Sequence, residues 1–113
     1  MRRFITIALI GALAGLTGCN SDRTPEKAKA FADKAEAELL EVTNAASRAQ
    51  WVQETFITGD TEAIAAAANE KQIAAQVRLA KEAAKFGGLS LPEDVKRKLL
   101  LIKLGITLPA PAD

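Results

Sequence analysis

Histidine is absent from this sequence of 113 residues, and cysteine occurs only once. Without histidine, the chain has no imidazole to bind zinc, to act as a general base or to complete a Ser-His-Asp triad. A single cysteine cannot form an intramolecular disulfide bond. A phosphate-binding loop is also missing, because the pair Gly87-Gly88 lacks the lysine and the spacing of a P-loop. We therefore expect this chain to carry no catalytic residue and to bind no metal ion.

The sequence also lacks a surplus of charge of either sign, since 15 lysine and arginine residues are balanced by 14 aspartate and glutamate residues. Loss of an N-terminal segment that includes Arg2 and Arg3 would leave 13 basic residues and a net charge of −1. Binding of nucleic acid depends on a basic surplus that neutralises phosphates. We therefore expect no nucleic-acid partner.

Large apolar side chains are sparse between the N-terminal segment and Leu99, and alanine supplies much of the 49% hydrophobic content. Alanine favours helix but buries little apolar area. A small chain with an alanine-rich core is only marginally stable by itself. The composition therefore predicts helices that pack against a larger body of protein.

The N-terminal residues show the order of features that is typical of an export signal. Arg2 and Arg3 give a positive start, residues 4–16 are uncharged and mostly apolar, and small residues lead to Cys19. The ending Leu16-Thr17-Gly18-Cys19 resembles the lipobox of bacterial lipoproteins, which implies cleavage before Cys19 and a lipid on its thiol. The apolar run is shorter than the about 20 residues of a membrane-spanning helix. A buried core helix would leave the order of arginines, small residues and cysteine unexplained.

These features divide the chain into three parts. We expect a lipoprotein signal peptide at residues 1–18, a lipidated cysteine and polar tether at 19–23, and a helical part at 24–113. The protein would then be exported and anchored to the bacterial cell envelope, facing the periplasm or the cell surface. Its first partner would be the membrane, reached through the lipid on Cys19.

Cap and breaker residues predict that the helical part begins with a long helix. Thr24 is the expected N-cap, and Pro25 stands at the first helical position. No breaker follows before Gly59, which we expect to end the helix after about 32 residues.

Two further helices are predicted by the same signals. Asp60 is the expected cap of a second helix over 61–86, which Gly87-Gly88 ends. Ser90 and Glu93 match a capping box at the start of a third helix, and Gly105 stops it. No strand pattern is present, so the predicted fold class is all-α, with long antiparallel helices.

Each predicted helix carries an apolar face. The face of the first helix consists of Ala28, Phe31, Ala32, Ala35, Leu39, Val42, Ala46, Ala49 and Phe56. The weaker face of the second consists of Ile64, Ala67, Ala68, Ala74, Val77, Ala80 and Ala84. The third helix has Val95, Leu99 and Ile102 on one face, and Leu100 and Leu101 widen it, which predicts burial on more than one side.

Two side chains of the first helix are candidates for a lid or packing role. Trp51 lies beside Arg48 in the middle of the helix, and the simplest interpretation is a packed aromatic ring with a cation over its face. Contact with a ligand is the alternative. The charged residues at 27–41 are interpreted as a solvated face with ion pairs such as Lys34 with Glu36.

Several stretches of the helical part resemble the start of the angiotensin-converting enzyme family of peptidyl-dipeptidases, and the last two resemble its bacterial members. They are Ala28-Lys29-Ala30-Phe31, Ala45-Ala46-Ser47-Arg48-Ala49-Gln50-Trp51, Thr55-Phe56-Ile57-Thr58-Gly59-Asp60-Thr61, Lys96-Arg97-Lys98-Leu99 and Leu104-Gly105-Ile106-Thr107-Leu108-Pro109. The likeness covers residues 24–113 and includes no catalytic motif.

The resemblance implies a zinc metallopeptidase that removes dipeptides from the C-termini of peptides. It also implies a large, almost wholly helical ellipsoid with a deep cleft, over which the first helices form a lid. The zinc ligands of the family lie in a His-Glu-x-x-His helix and a later glutamate. Because this sequence has no histidine, zinc would belong to the full-length family member, and this chain would supply lid helices only. The implied partners are the rest of the peptidase domain and peptide substrates.

The residues leave alternatives to this interpretation as a truncated N-terminal portion. A complete small helical lipoprotein could serve as an interaction or structural module of the envelope. An alanine-rich lipoprotein could also trimerise as a coiled coil, although Gly59 and Gly87 interrupt the heptads that a coiled coil requires.

Overall fold

Three α-helices joined by short connections form the part of the chain that the computed structural model describes, residues 23–105. Helix α1 spans Pro25–Thr55, α2 spans Gly59–Ala84 and α3 spans Glu93–Leu104. No strand occurs within this range, and the predicted all-α fold is confirmed. None of these three helices combines the length and the hydrophobicity that crossing a bilayer requires. The predicted signal peptide, Cys19 and the chain after Gly105 lie outside the described residues.

Helix α1 begins where the sequence predicted. The Thr24 Oγ1 atom accepts a hydrogen bond of 3.2 Å from the backbone N–H of Lys27, and Pro25 occupies the first turn, where its missing N–H costs no intrahelical bond. Glu26 adds negative charge at the positive end of the helix dipole. Hydrogen bonds from the backbone N–H of Glu26 and from the Thr24 hydroxyl hold the pKa of this carboxyl below its usual range.

The connection between α1 and α2 differs from the prediction. Helix α1 ends at Thr55 after 31 residues, and Gly59 is the first residue of α2 instead of the stop of α1. The cap is Thr58, not Asp60, because Thr58 and Thr61 form a reciprocal pair of side-chain-to-backbone hydrogen bonds at 3.1 and 3.2 Å. This pair satisfies two N–H groups together, whereas Asp60 already lies inside the first turn.

The connection between α2 and α3 also differs from the prediction. Helix α2 ends at Ala84, and Gly88 adopts a φ of +79°, a left-handed conformation that favours glycine. The predicted capping box of Ser90 and Glu93 is wrong, because α3 begins only at Glu93 and no side chain caps it. Pro92 disfavours a helical backbone at the residue before it, so the helix cannot extend back to Ser90.

Contacts between α1 and α2 show that the two long helices run antiparallel. The Arg23 guanidinium donates to the carbonyl oxygen of Gly87 at 2.7 Å, Arg78 pairs with Glu38, and the Gln72 Nε2 donates to the Thr43 Oγ1 at 3.2 Å. Residue numbers therefore rise along α1 as they fall along α2. The long antiparallel helices are confirmed.

Helix α3 closes the core over one half of this helical pair. Its inner face consists of Val95, Leu99 and Ile102, as predicted. Alanines of α1 face it, and their small side chains allow the helices to approach closely. The buried cluster comprises Ala28, Ala32, Ala35, Leu79, Ala83, Leu91, Val95, Leu99 and Ile102, with Phe31, Leu39, Phe86 and Leu89 packed at its edge.

The predicted apolar faces of α1 and α2 are confirmed only in part. The first part of the α1 face is buried, but Phe56 is 62% exposed. On α2 the predicted Ala80 is buried, but the predicted Ile64 is 56% exposed, and the other buried residues are Ala65, Ala75, Leu79 and Ala83. Alanines lie on all sides of α2, so their positions do not indicate which side faces the core. Leu100 and Leu101 are about half exposed, and α3 is buried on one side only.

Candidate functional site

A cluster of four charged side chains fastens α3 to α1. The Lys98 Nζ atom lies 2.9 Å from Asp33 Oδ1 and 2.7 Å from Glu36 Oε2, and the Lys29 Nζ atom lies 2.6 Å from Asp33 Oδ2. The hydrogen bonds from Lys29 and Lys98 lower the pKa of Asp33 to about 2. Those to Glu36 and Asp33 raise the pKa of Lys98 above its usual range. Ion-pair networks of this kind also shift pKa values at purely structural positions, and this exposed cluster bridges two helices.

The sequence analysis missed this cluster because its members are distant in the chain. Glu36 was assigned to a local pair with Lys34, but its partner is Lys98 on another helix. The spacing of Lys98 from Val95 and Ile102 could have indicated a contact with α1, because it places the lysine at the edge of the inner face of α3.

An open groove lies between α1 and α2 where α3 ends. We call it the α3-end groove; its volume is about 280 Å³, and its walls include Leu39, Thr43, Gln76, Leu101, Ile102 and Gly105. The backbone N–H of Gly105 donates to the carbonyl oxygen of Leu101 at 2.9 Å and closes the helix there, as predicted. Beyond this point, no described helix covers the seam between α1 and α2.

The predicted pair Trp51 and Arg48 lies on the part of α1 that α3 does not cover. Trp51 is 64% exposed, so its ring is not packed within the three helices. Asn44, Ser47, Arg48, Trp51 and Val52 line a shallow depression on the outer surface of the helix. The structure thus brings the two side chains together on one outward face, with small polar neighbours around the indole.

Large apolar side chains are also exposed singly on the long helices, at Leu40, Ile64 and Ile73, and as neighbours in the chain at two further places. The outer leucines, Leu100, Leu101 and Leu104, lie outside the core face of α3, and Leu104 is 70% exposed. Phe56 and Ile57 form the hairpin tip, where α1 turns into α2. Where neighbouring exposed side chains join into a contiguous apolar surface, other protein commonly packs on it.

The described residues do not fit a zinc site. They contain no group of three or more histidine, cysteine, aspartate or glutamate side chains that could hold a metal ion. Zinc in proteins is bound by such side chains, most often by cysteine and histidine, and the whole sequence has no histidine. We therefore derive no chemical step at a metal from this chain.

Comparison with protein families shows which family the chain belongs to. A family model described as angiotensin-converting enzyme, a peptidase family, matches residues 22–112. The chain belongs to this family. The match includes all three helices of the angiotensin-converting enzyme family chain, and the resemblance stated from its sequence is confirmed. No curated protein and no solved structure matches the chain significantly.

Family membership makes this a peptidase-related chain, and its described part consists of helices. Cys19, the predicted lipid attachment site, lies outside the described residues.

Proposed function

We propose that this chain supplies lid helices over the active-site cleft of a zinc-dependent peptidyl-dipeptidase. The observation that carries the proposal is the family match over residues 22–112. The zinc ion and its ligands would lie in the rest of the peptidase domain, since the residues described here do not fit them. The role of this chain would be to control which peptides enter the cleft and to exclude water from it.

The shape of the helical pair supports a lid. Helix α3 packs on one half of α1 and α2, and the other half extends beyond it as a two-helix arm of residues 43–72. Thirteen residues of α1, from Thr43 to Thr55, give this arm a length of about 20 Å. An arm that is fixed at its base and free at its tip can open and close over a cleft without unfolding.

The exposed apolar residues support packing against the rest of a peptidase domain. The outer leucines, Trp51 and the hairpin tip all present apolar surface to solvent in the described helices. A monomeric soluble protein seldom leaves a large contiguous apolar patch uncovered. We infer that the outer leucines of α3 contact the body of the domain, and that the hairpin tip faces the cleft entrance.

The N-terminal sequence supports a location at the cell envelope. The lipobox-like ending Leu16-Thr17-Gly18-Cys19 would place a lipid five residues before Thr24, the cap of α1. A tether of that length reaches about 17 Å when extended. The lid would then lie near the membrane surface, and peptides of the periplasm or the cell exterior would be the substrates.

The test is to isolate the native polypeptide that carries these helices. An antibody against residues 23–105 is used on envelope fractions of the source organism, and the captured protein is assayed with a blocked tripeptide. We expect a band well above the 12.0 kDa of this chain. We also expect release of the C-terminal dipeptide, loss of this activity with a chelator and its recovery on addition of zinc.

A band no larger than this chain, without dipeptide release, would refute the proposal. The alternative would then hold, in which a small helical lipoprotein is an interaction or structural module of the envelope.

A further inference from the structure

Charge is unevenly distributed along the two long helices. Residues 49–70, which include the hairpin tip, carry four acidic side chains and no basic one. Residues 76–105, which include the connection from α2 to α3, carry seven lysine and arginine residues and three acidic ones. Helix α2 has 26 residues, so about 39 Å separates its two ends. The described chain therefore has an anionic tip and, at the far end of α2, a cationic region.

Four exposed cations surround the connection from α2 to α3. Lys96 and Lys103 line a depression there, and their spacing of seven residues places them on one face of α3. The Arg23 guanidinium donates to the carbonyl oxygen of Gly87, which lines the same depression. Lys85 is the C-cap of α2, two residues before Gly87. We call the four side chains of Arg23, Lys85, Lys96 and Lys103 the basic end.

The lysines of the basic end are available to an external anion. No ion pair joins Lys85 or Lys103 to an acidic side chain within residues 23–105. The Lys96 Nζ atom lies 2.7 Å from Glu93 Oε1, but the Glu93 side chain is 88% exposed. Exposed ion pairs of this kind contribute little stability, so a phosphate can replace the carboxylate at small cost.

The depression between these cations also presents apolar side chains. Phe86 and Leu89 line it and are only partly buried. A membrane surface attracts both kinds of group, because anionic headgroups bind basic side chains and the interfacial region takes up apolar ones. Each lysine or arginine near an anionic membrane strengthens binding about fivefold. The chemistry of the basic end therefore fits an anionic phospholipid surface.

The start of α1 favours a membrane over an acidic protein as the partner. The hydrogen bond from Arg23 to Gly87 fixes the beginning of the described chain at the basic end. Cys19 precedes Arg23 by four residues, a span of at most about 14 Å. A lipid on Cys19, as proposed above, would hold the basic end beside the bilayer, where its lysines would meet lipid headgroups.

We propose that the basic end docks on an anionic phospholipid surface, with Lys85, Lys96 and Lys103 at the headgroup phosphates. The same negative surface repels the four acidic side chains of residues 49–70. The arm then points away from the membrane, and the hairpin tip stays free to move over the cleft. This inference rests on the envelope location proposed above and does not depend on peptidase activity.

Amine labelling on vesicles tests this docking within a single chain. The complete 113-residue polypeptide is bound to vesicles of phosphatidylcholine, alone or mixed with phosphatidylglycerol, and its acetylation at lysines is followed by mass spectrometry. The apolar N-terminal residues are present in both samples and contribute equally. We expect Lys85, Lys96 and Lys103 to react about fivefold more slowly on the anionic vesicles, whereas Lys71 of the arm should react equally on both. Protection of none of these lysines, or equal protection of Lys71, would overturn the proposal.

Matched variants provide the second measurement. The double change Lys96→Gln with Lys103→Gln removes two charges from the basic end, and Lys34→Gln with Lys71→Gln removes two charges elsewhere. Circular dichroism checks that both variants keep the helical content of the parent. We expect the first variant to partition onto anionic vesicles about 25-fold less strongly, fivefold for each lysine, and the second to lose much less. Equal partitioning of the two variants would contradict a specific docking face.

These measurements separate this inference from the lid, because neither reads dipeptide release. Protected lysines in a protein without peptidase activity would refute the lid and keep the membrane contact. Lysines that react freely on vesicles but are protected in the detergent-solubilised native protein would refute membrane docking. They would assign the basic end to an acidic part of the peptidase domain instead.

Discussion

The change Leu99→Ala tests whether α3 holds the helical pair together. Leu99 is 4% exposed and lies in the cluster formed with Ala28, Ala32 and Ala35 of α1. Its removal takes away a buried leucine side chain and leaves a cavity. The facing alanines are too short to fill that cavity. Changes of this type lower the free energy of unfolding by about 2–5 kcal/mol. The upper part of this range applies where neighbouring side chains cannot move into the cavity.

This loss is large for a chain of this size. A single small core supplies only about 3–5 kcal/mol of net stability, so we expect Leu99→Ala to melt well below the parent or to be partly unfolded at 25 °C. The assay is thermal unfolding followed by circular dichroism at the helical band, with a urea titration as a second measure of the free energy of unfolding.

The adjacent residue provides a matched control. Leu100 is 49% exposed on the outer side of α3, so Leu100→Ala removes the same atoms and leaves no cavity in the core. We expect it to cost less than about 1 kcal/mol. Equal destabilisation by the two changes would refute the assignment of the inner and outer faces of α3.

Further changes test the connections, the ion cluster and the lid. Gly88→Ala should destabilise the chain by about 1 kcal/mol because of its left-handed backbone, whereas Gly59→Ala, with open space at its Cβ position, should be neutral or stabilising in the same melting assay. Thr58→Ala should lower the free energy of unfolding by about 1 kcal/mol, because α2 loses its cap. The conservative change Thr58→Ser should not lower it. Because the pKa of Asp33 is lowered to about 2, its ion pairs contribute stability above the ordinary pKa of 3.8, and that stability is lost as the pH falls towards 2; an Asp33→Asn variant should melt with a weaker pH dependence over this interval. In the full-length peptidase, the change Trp51→Ala should alter kcat/KM for longer peptides more than for tripeptides. An equal effect on both would refute a role of Trp51 in the lid.

The sequence predicted the helices best where a specific side chain or backbone requirement marks the structure. Thr24 with Pro25 defined the start of α1, and Gly105 defined the end of α3. The inner face of α3 was predicted because valine, leucine and isoleucine are large enough to mark a buried side.

The wrong predictions have physical causes as well. Asp60 and Thr58 are both good caps, and the choice between them depends on the reciprocal bond to Thr61, which only the folded turn shows. The capping box at Ser90 failed because Pro92 restricts the residue before it. The face of α2 could not be read from alanines that occur on every side of the helix.

The candidate site was less predictable than the fold. The link between Lys98 and Glu36 joins residues far apart in the chain, and no local pattern reports such a pair. Trp51 and Arg48 were correctly placed on one helix, but whether that face is covered depends on neighbouring protein, and the sequence of one helix does not report it.

Hydroxyl-radical footprinting tests whether these helices form part of a larger peptidase body. The native protein that carries these helices is compared with the isolated 113-residue chain. Oxidation of the outer leucines and Trp51 is measured by mass spectrometry, and Lys34, on the exposed polar surface of α1, provides peptides for normalisation. We expect Leu100, Leu101 and Leu104 to be strongly protected from oxidation in the native protein and reactive in the isolated chain. Equal reactivity in the two samples would show that no other protein packs on the outer leucines of α3. It would contradict a place for these helices in a larger peptidase body.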